Sequence, residues 1–337
     1  MHRTCPGRRK FHWLLSFLVV AVLGSLPPAW SGDQEAETSS VNTKNKKSDP
    51  RQIGVRDVTK GNWNFYSAER ELELGRELAR DAERTSYLLL HPVVVDYVTE
   101  VAERVARNSD LRVPVQVRVV DSSEVNAFAL PGGYLFITTG MLLETRSEAE
   151  LAGVIAHEIA HVAARHATRQ MTRAHIWNVM SLPLLLFGGQ AGYAVQQGAA
   201  ILVPMAFLKF SRNAEREADF LGLQYLYASG YDPVALVDFL ERLKSRGKDE
   251  EGGSIARLFS THPMTKDRVV RAEHIIERNL PAREEYVVTT SRHAEVRTYL
   301  ERLLRIRSRW ELDASPPPQK RAPRIQPAKN GVADGCP

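Results

Sequence analysis

The sequence predicts an α+β fold that is mostly helical and contains one small sheet. Residues 67–83 and 91–107 repeat apolar side chains at the three- and four-residue spacing of amphipathic helices. Residues 114–121 instead alternate valine with other residues, which is typical of a half-buried strand. With 337 residues, of which 43% are hydrophobic, the chain is long enough to bury one substantial core.

Both ends of the chain are predicted to lie outside this core. Residues 1–31 combine a basic start, an apolar stretch and a small-residue cleavage pattern, which is typical of a secretory signal peptide. Residues 32–60 are mostly polar and predict a disordered linker, and residues 314–337 predict a disordered proline-rich tail. Between them we expect a catalytic domain at 61–281 and a helical extension at 282–313.

Charge restricts the partners of the protein. The formal net charge is +5, but the first 31 residues contain four basic side chains and no acidic one. Removing a signal peptide leaves 41 basic and 40 acidic residues, so no nucleic-acid partner is indicated. We expect a periplasmic or otherwise exported protein that is soluble or peripherally associated with a membrane.

A β-hairpin is predicted at residues 126–139, before the next helix. Its turn is Pro131-Gly132-Gly133, because proline and glycine adopt the backbone angles of tight turns. The second strand, residues 134–138, runs shortly before that helix.

The next helix contains an H-E-x-x-H sequence. Ser147 and Glu150 form a capping box that starts this helix, and an apolar pattern of helical spacing follows. His157 and His161 are four residues apart and lie about 40° apart around the helix axis, so they can bind one metal ion. Glu158, on the adjoining face, can deprotonate a water on that metal. The pattern predicts a zinc hydrolase with Glu158 as general base.

A catalytic zinc ion needs a third protein ligand and one open position. The metzincin pattern is excluded, because its third histidine would stand where this chain has Ala167. His166 misses that position by one residue, and we expect it to be a structural or exposed histidine. Glu215 is the best third ligand, and Asp219, one turn later, is placed to accept a hydrogen bond from a ligand histidine. One zinc ion per chain is therefore expected.

These features together resemble a known metallopeptidase family. The matching segments are residues 126–133, 147–152, 157–161, 165–166, 211–219 and 261–263. They resemble the HtpX-like and CaaX-prenyl-endopeptidase-like gluzincins, most closely the secreted, BepA-like periplasmic branch. The resemblance covers about residues 60–280 and implies a zincin-like fold, zinc held by His157, His161 and Glu215, and protein or peptide substrates. In zincins an edge strand of this kind, here the second strand at residues 134–138, binds the substrate backbone. A purely structural hairpin is the alternative.

His262 is a further candidate for the site. Pro263 keeps it in an extended conformation before a predicted helix, which Thr265 is placed to cap. The resemblance implies that this histidine lies at the active site, where it either stabilises the oxyanion or occupies the open zinc position and keeps the enzyme idle. An ordinary turn histidine is the alternative.

Two apolar stretches, residues 176–187 and 199–208, separate His161 from Glu215. Each is too short to cross a bilayer, whereas HtpX-like proteins have transmembrane helices in this part. Two interpretations remain open. The stretches form a buried hairpin on the catalytic domain, or residues 176–208 form a lid or interfacial segment that touches a membrane or holds unfolded proteins.

The expected function is zinc-dependent hydrolysis of peptide bonds in misfolded or misassembled envelope proteins. Glu158 acts as general base, Asp219 orients a ligand histidine, and His262 assists or inhibits. The alternative from another class is a periplasmic chaperone or assembly factor with a latent metal site.

Overall fold

The computed structural model describes residues 49–187, 210–246, 255–263, 265 and 267–314. The predicted signal peptide, the linker before residue 49, the second apolar stretch at residues 199–208 and the tail after residue 314 lie outside this part of the chain.

The described chain is mostly helical, as predicted. The helices are α1 (Ala68–Thr85), α2 (Pro92–Arg107), α3 (Thr139–Glu144), α4 (Glu148–Ala163), α5 (His166–Phe187), α6 (Arg212–Ala228), α7 (Val234–Arg246), α8 (Ala256–Thr261), α9 (Arg268–Asn279) and α10 (Ser291–Ala314). Ser67 and Ser147 cap α1 and α4, because their hydroxyl oxygens accept hydrogen bonds from backbone N–H groups three residues later.

The predicted cap of α9 is wrong. Asp267 stands at the N-cap position, and its side chain makes no capping hydrogen bond. Thr265 contributes its backbone carbonyl instead, which accepts a hydrogen bond of 3.1 Å from the N–H of Arg268. The helix therefore begins two residues later than a threonine cap at 265 would start it.

The sheet contains three strands, β1 (Gln116–Val120), β2 (Ala127–Leu130) and β3 (Tyr134–Thr138), in the order β1-β3-β2. β2 and β3 form the predicted antiparallel hairpin, and β3 also pairs in parallel with β1. The second strand of the hairpin is therefore central and not an edge strand. The edge strands are β1 and β2, and β2 is the edge strand of the hairpin. The parallel pairing of β3 with β1 is a long-range contact that no local pattern reveals.

The hairpin turn needs its glycines. Gly132 and Gly133 have φ angles of 81° and 89°, which side chains with a Cβ rarely adopt. Helix α1 packs directly on this turn, since a Cβ added to Gly75 would lie 1.9 Å from the carbonyl oxygen of Pro131. These contacts fix the hairpin against α1.

Helix α4 lies at the centre of the core and is buried along its length, in contact with α2, α6, α7 and β2. The approach of α6 is close, because a Cβ on Gly222 would lie 3.1 Å from the Cα of His157. The H-E-x-x-H residues are therefore held inside the protein, under the edge strand β2.

The core also includes chain from both predicted flanking segments. Val58 is buried in it, and Arg56 is buried through an ion pair with Asp110 at 2.8 Å. The prediction of a disordered linker is thus wrong for residues 49–60, because a distant acid compensates the buried charge. In the predicted helical extension, α10 contributes Val296 and Leu300 to the same core.

Residues 176–187, the first apolar stretch, form the second half of α5, which continues through Pro183. Within the described residues, no helix is both long enough and apolar enough to cross a membrane.

Candidate metal centre and active site

Four buried side chains converge from three parts of the chain. His157 and His161 come from α4, Glu215 from the first turn of α6, and His262 from the end of α8. One nitrogen or oxygen of each lies within 4.8 Å of the others. The structure therefore brings together the three ligands expected from the sequence and the histidine whose role stayed open.

The spacing of the donor atoms fits a zinc ion. The Nε2 atoms of His157 and His161 are 3.1 Å apart, and the carboxylate oxygens of Glu215 lie 3.5 and 3.4 Å from them. Ligands about 2.1 Å from a tetrahedral zinc ion stand about 3.4 Å apart. In addition, Glu215 Oε2 is buried and accepts no hydrogen bond. A buried carboxylate whose two oxygens each face an imidazole nitrogen is a donor set for a cation.

Without a metal ion, the cluster favours a protonated His157. Burial alone would lower the pKa of His157, but the neighbouring carboxylates of Asp219 and Glu215 raise it to about 9. Burial would likewise raise the pKa of Glu215, but hydrogen bonds from the histidines hold that pKa well below its usual range. A cation that binds here at neutral pH would therefore displace a proton from His157.

Asp219 lies where the sequence predicts it, behind a ligand histidine. Its Oδ1 is 3.1 Å from Nδ1 of His157, the ring nitrogen that points away from the cluster. Arg268, on α9, donates to the same carboxylate at 2.7 and 3.0 Å and is itself buried. Sequence reasoning missed Arg268, because an arginine in an amphipathic helix is usually exposed to solvent.

His166 is the structural histidine of the two predicted alternatives, and not the exposed one. It is buried, its Nδ1 lies 2.9 Å from Nδ1 of His161, and its Nε2 lies 3.1 Å from a carboxylate oxygen of Glu217. Burial lowers the pKa of His166. Glu217, which points away from the metal ligands, also accepts a hydrogen bond of 2.9 Å from Arg169.

Glu158 lies between the metal ligands and the edge strand. Its Oε2 accepts a hydrogen bond of 3.0 Å from the backbone N–H of Ala129 on β2. Its Oε1 is 3.4 Å from Nε2 of His262. Burial raises the pKa of Glu158. A carboxylate with a raised pKa beside a metal donor set has the position and the basicity of a general base.

His262 lies in the same cluster, so the candidate ligand group consists of His157, His161, Glu215 and His262. Its Nδ1 is 3.0 Å from Glu215 Oε1 and 3.4 Å from Nε2 of His157. The residue has φ −121° and ψ 85°, which lies outside the helical region that a following proline disfavours. The ring of His262 therefore contacts both α4 and α6, through His157, Glu158 and Glu215.

Comparison with known proteins agrees with this geometry. The model of peptidase family M48 matches residues 93–276, which is more than half of the chain. The chain belongs to peptidase family M48. The prediction of a zincin-like metallopeptidase is confirmed at the level of the family, and all four residues of the ligand group lie within the matched range.

Some relatives of this chain are bacterial proteins, and others are proteins named as mitochondrial from eukaryotes. The beta-barrel assembly-enhancing protease of Yersinia pestis is 29% identical over 216 residues, which is 62% of this chain and 44% of that protein. The mitochondrial metalloendopeptidase OMA1 of Schizosaccharomyces pombe is 34% identical over 188 residues, 54% of this chain and 53% of that protein. The OMA1 protein of Arabidopsis thaliana is 38% identical over 153 residues, 45% of this chain and 30% of that protein. The chain spans about half the length of these relatives, or less.

Proposed function

We propose that this protein is a zinc-dependent endopeptidase. The observation that carries the proposal is the buried donor set of His157, His161 and Glu215 with Glu158 beside it. A bound zinc ion would supply the Lewis acid that polarises the scissile carbonyl and lowers the pKa of the attacking water. Glu158 takes the proton from that water and passes it to the leaving amine. Asp219 holds Nδ1–H of His157, which directs the Nε2 lone pair of His157 to the metal position.

The substrate is proposed to be an extended peptide bound along β2. This strand is at the edge of the sheet, and its Ala129 N–H already contacts Glu158. A peptide added to this edge would bring its backbone past the general base. Backbone recognition favours unfolded or misassembled proteins, because a folded protein rarely offers an unpaired extended segment.

An envelope substrate and an exported location are part of the proposal. Two observations support them: the signal-peptide pattern of residues 1–31 and the similarity to a protease named for beta-barrel assembly. A fusion of the chain to a reporter that is active only outside the cytoplasm tests the location. Reporter activity that is independent of residues 1–31 would contradict it.

A peripheral membrane contact through residues 176–208 is also proposed. Its support is a pair of exposed aromatic side chains, Trp63 and Phe65, which are 76% and 64% exposed. Their segment is fixed to α5, because Thr168 and Thr172 accept hydrogen bonds from Asn64 Nδ2 and Phe65 N. The second half of α5 is the apolar stretch at residues 176–187. Sedimentation with phospholipid vesicles should fall when Trp63 and Phe65 are both changed to serine.

The central experiment is hydrolysis of casein by the purified full chain with one equivalent of zinc. The wild type should cleave casein, and Glu158→Gln should not, although it binds the same amount of zinc. The position of His262 favours one rival, a chaperone or assembly factor with a latent metal site. Two results together would support the chaperone function. Zinc-loaded wild type leaves casein intact, and wild type and Glu158→Gln suppress the aggregation of an unfolded protein to the same extent.

A further inference from the structure

The last turn of α4 and the start of α5 place a second histidine behind the ligand His161. We propose that His166 is a positioning residue of the metal centre. Its Nδ1 accepts a hydrogen bond from Nδ1–H of His161, and its Nε2–H donates a hydrogen bond to Glu217. The inference rests on the proposed metal site, and it assigns a role to residues that do not themselves touch the metal position.

The contacts form one continuous chain. Nδ1 of His161 is 2.9 Å from Nδ1 of His166, and Nε2 of His166 is 3.1 Å from Oε2 of Glu217. The two rings meet edge to face, with an interplanar angle of 71° and centroids 4.9 Å apart. His166 is buried, and Arg169 donates to the same oxygen of Glu217 at 2.9 Å.

The arrangement of protons follows from the chemistry of each group. An ionised carboxylate only accepts hydrogen bonds, so His166 carries its proton on Nε2, toward Glu217. His161 needs a free lone pair on Nε2 to bind a metal, so it carries its proton on Nδ1. Only one placement of the protons meets both conditions. In it, the unprotonated Nδ1 of His166 accepts a hydrogen bond from Nδ1–H of His161. The relay thus selects the tautomer of His161 that binds a metal through Nε2.

The backbone at Arg165 produces this contact. In an uninterrupted helix, His166 would point about 140° away from His161. Arg165 instead has φ 56°, a left-handed conformation that is rare for a residue with a side chain. Its guanidinium is held by the carboxylate of Glu71 and by the backbone carbonyls of Tyr66 and Ser67. This break between α4 and α5 turns the ring of His166 back onto His161.

Each ligand histidine therefore has its own support. His157 hydrogen-bonds directly to the carboxylate of Asp219, whereas His161 reaches a carboxylate through the ring of His166. Removal of such a partner typically weakens metal binding by about 10- to 100-fold.

The test is zinc affinity, measured by competition with a chromophoric chelator on the purified full chain. His166→Leu removes the acceptor and should raise the zinc dissociation constant by about 10- to 100-fold while one zinc per chain still binds at saturation. His166→Asn places an amide oxygen near the position of Nδ1, so its dissociation constant should stay closer to the wild-type value than to that of the leucine variant. His274→Leu, a change at an exposed histidine of α9, should have no effect.

An unchanged dissociation constant in His166→Leu would overturn the proposal. Equal losses in the leucine and asparagine variants would also overturn it, since the loss would then reflect packing and not the acceptor. Should His166→Leu fail to fold, the ¹H–¹⁵N histidine spectrum of zinc-loaded wild type decides. His161 protonated on Nδ1 and His166 on Nε2 supports the relay, and a proton on Nδ1 of His166 contradicts it. Failure of wild type to bind zinc at all would instead count against the proposed function.

Discussion

At the scale of single residues, four buried or half-buried carboxylates around α4 have four different environments. Glu215 faces the two ligand histidines, Glu158 contacts the edge strand, Asp219 lies behind His157, and Glu217 lies behind His166. The same chemical group is thus assigned to binding a metal, to moving a proton and to holding a ring, according to which neighbour it contacts.

The two carboxylates closest to the proposed reaction should respond differently to substitution. Glu215→Ala should lose zinc and activity together, because it removes a ligand. Glu158→Gln should keep zinc and lose about 100-fold or more in turnover, because it removes only the proton acceptor. Metal analysis and peptide hydrolysis on the same preparations measure both effects. Stoichiometric zinc in Glu215→Ala would show that another residue is the third ligand.

The role of His262 can be read from the sign of one change in rate. Its Nδ1 lies within the ligand group, so we expect it to fill the fourth position at rest. His262→Ala should then raise basal hydrolysis of an unfolded substrate, because the position for water and substrate becomes free. A fall of about 100-fold with zinc retained would assign it to oxyanion stabilisation instead.

Glu217 should contribute to stability against acid. Burial would raise its pKa, but hydrogen bonds from His166 and Arg169 hold it at about 2, below the ordinary 4.5. Its stabilising contribution is therefore complete above about pH 4.5 and is lost as the pH falls toward about 2. Chemical unfolding of the metal-free protein at several pH values measures this, with Glu217→Gln as the comparison. Identical pH dependence of the two proteins would contradict it.

At the scale of elements, the site depends on how closely α6 approaches α4. Gly222 faces the backbone of His157, which leaves no room for a side chain between the helices. Because α6 also contains Glu215 and Asp219, the distance between these helices sets the distance between the ligands.

Gly222→Ala should separate the two helices. On propensity alone, alanine would stabilise a helix by about 1 kcal/mol relative to glycine. Here its Cβ would lie 3.1 Å from backbone atoms of His157, which cannot rotate away. We therefore expect a loss of about 1–3 kcal/mol in the free energy of unfolding, with weaker zinc binding. Denaturant unfolding and chelator competition measure these, and a stabilised protein with unchanged affinity would refute the close contact.

At the scale of the whole molecule, one core joins the ends of the described chain. Val58 from before α1 and Leu300 from α10 belong to the same buried cluster as the active-site helix α4. Tyr97, on α2, also accepts or donates a hydrogen bond of 2.8 Å with His293 of α10. The helix after the catalytic segment is therefore part of the structure that supports the site.

Leu300→Ala should destabilise the whole domain. Leu300 is fully buried, so its truncation should lower the free energy of unfolding by about 2–5 kcal/mol. Ile306, on the same helix but 51% exposed, provides the matched control, and Ile306→Ala should change stability by less than about 0.5 kcal/mol. Thermal and denaturant unfolding compare the two. Equal, small effects would indicate that α10 does not stabilise the catalytic core.

The sequence alone predicted those parts of this protein that depend on local spacing. The capping serine at 147, the helices that begin near Ser67 and after Ser147, the hairpin at Pro131 and the H-E-x-x-H pair all follow from interactions within a few residues. Even the distant Glu215 could be predicted as the third ligand, because few acidic residues lie in a predicted helix with a second acidic residue one turn later.

Only the tertiary structure decided the rest, because those features depend on contacts between distant residues. The parallel pairing of β1 with β3 makes β3 the central strand and leaves β2 at an edge of the sheet. The burial of Arg268 depends on an acid from another helix, and the left-handed Arg165 turns His166 onto His161 against the expected helical direction. Helical periodicity predicts the direction of a side chain only as long as the helix continues. Because the helix is interrupted at Arg165, His166 contacts His161, a contact that the sequence did not predict.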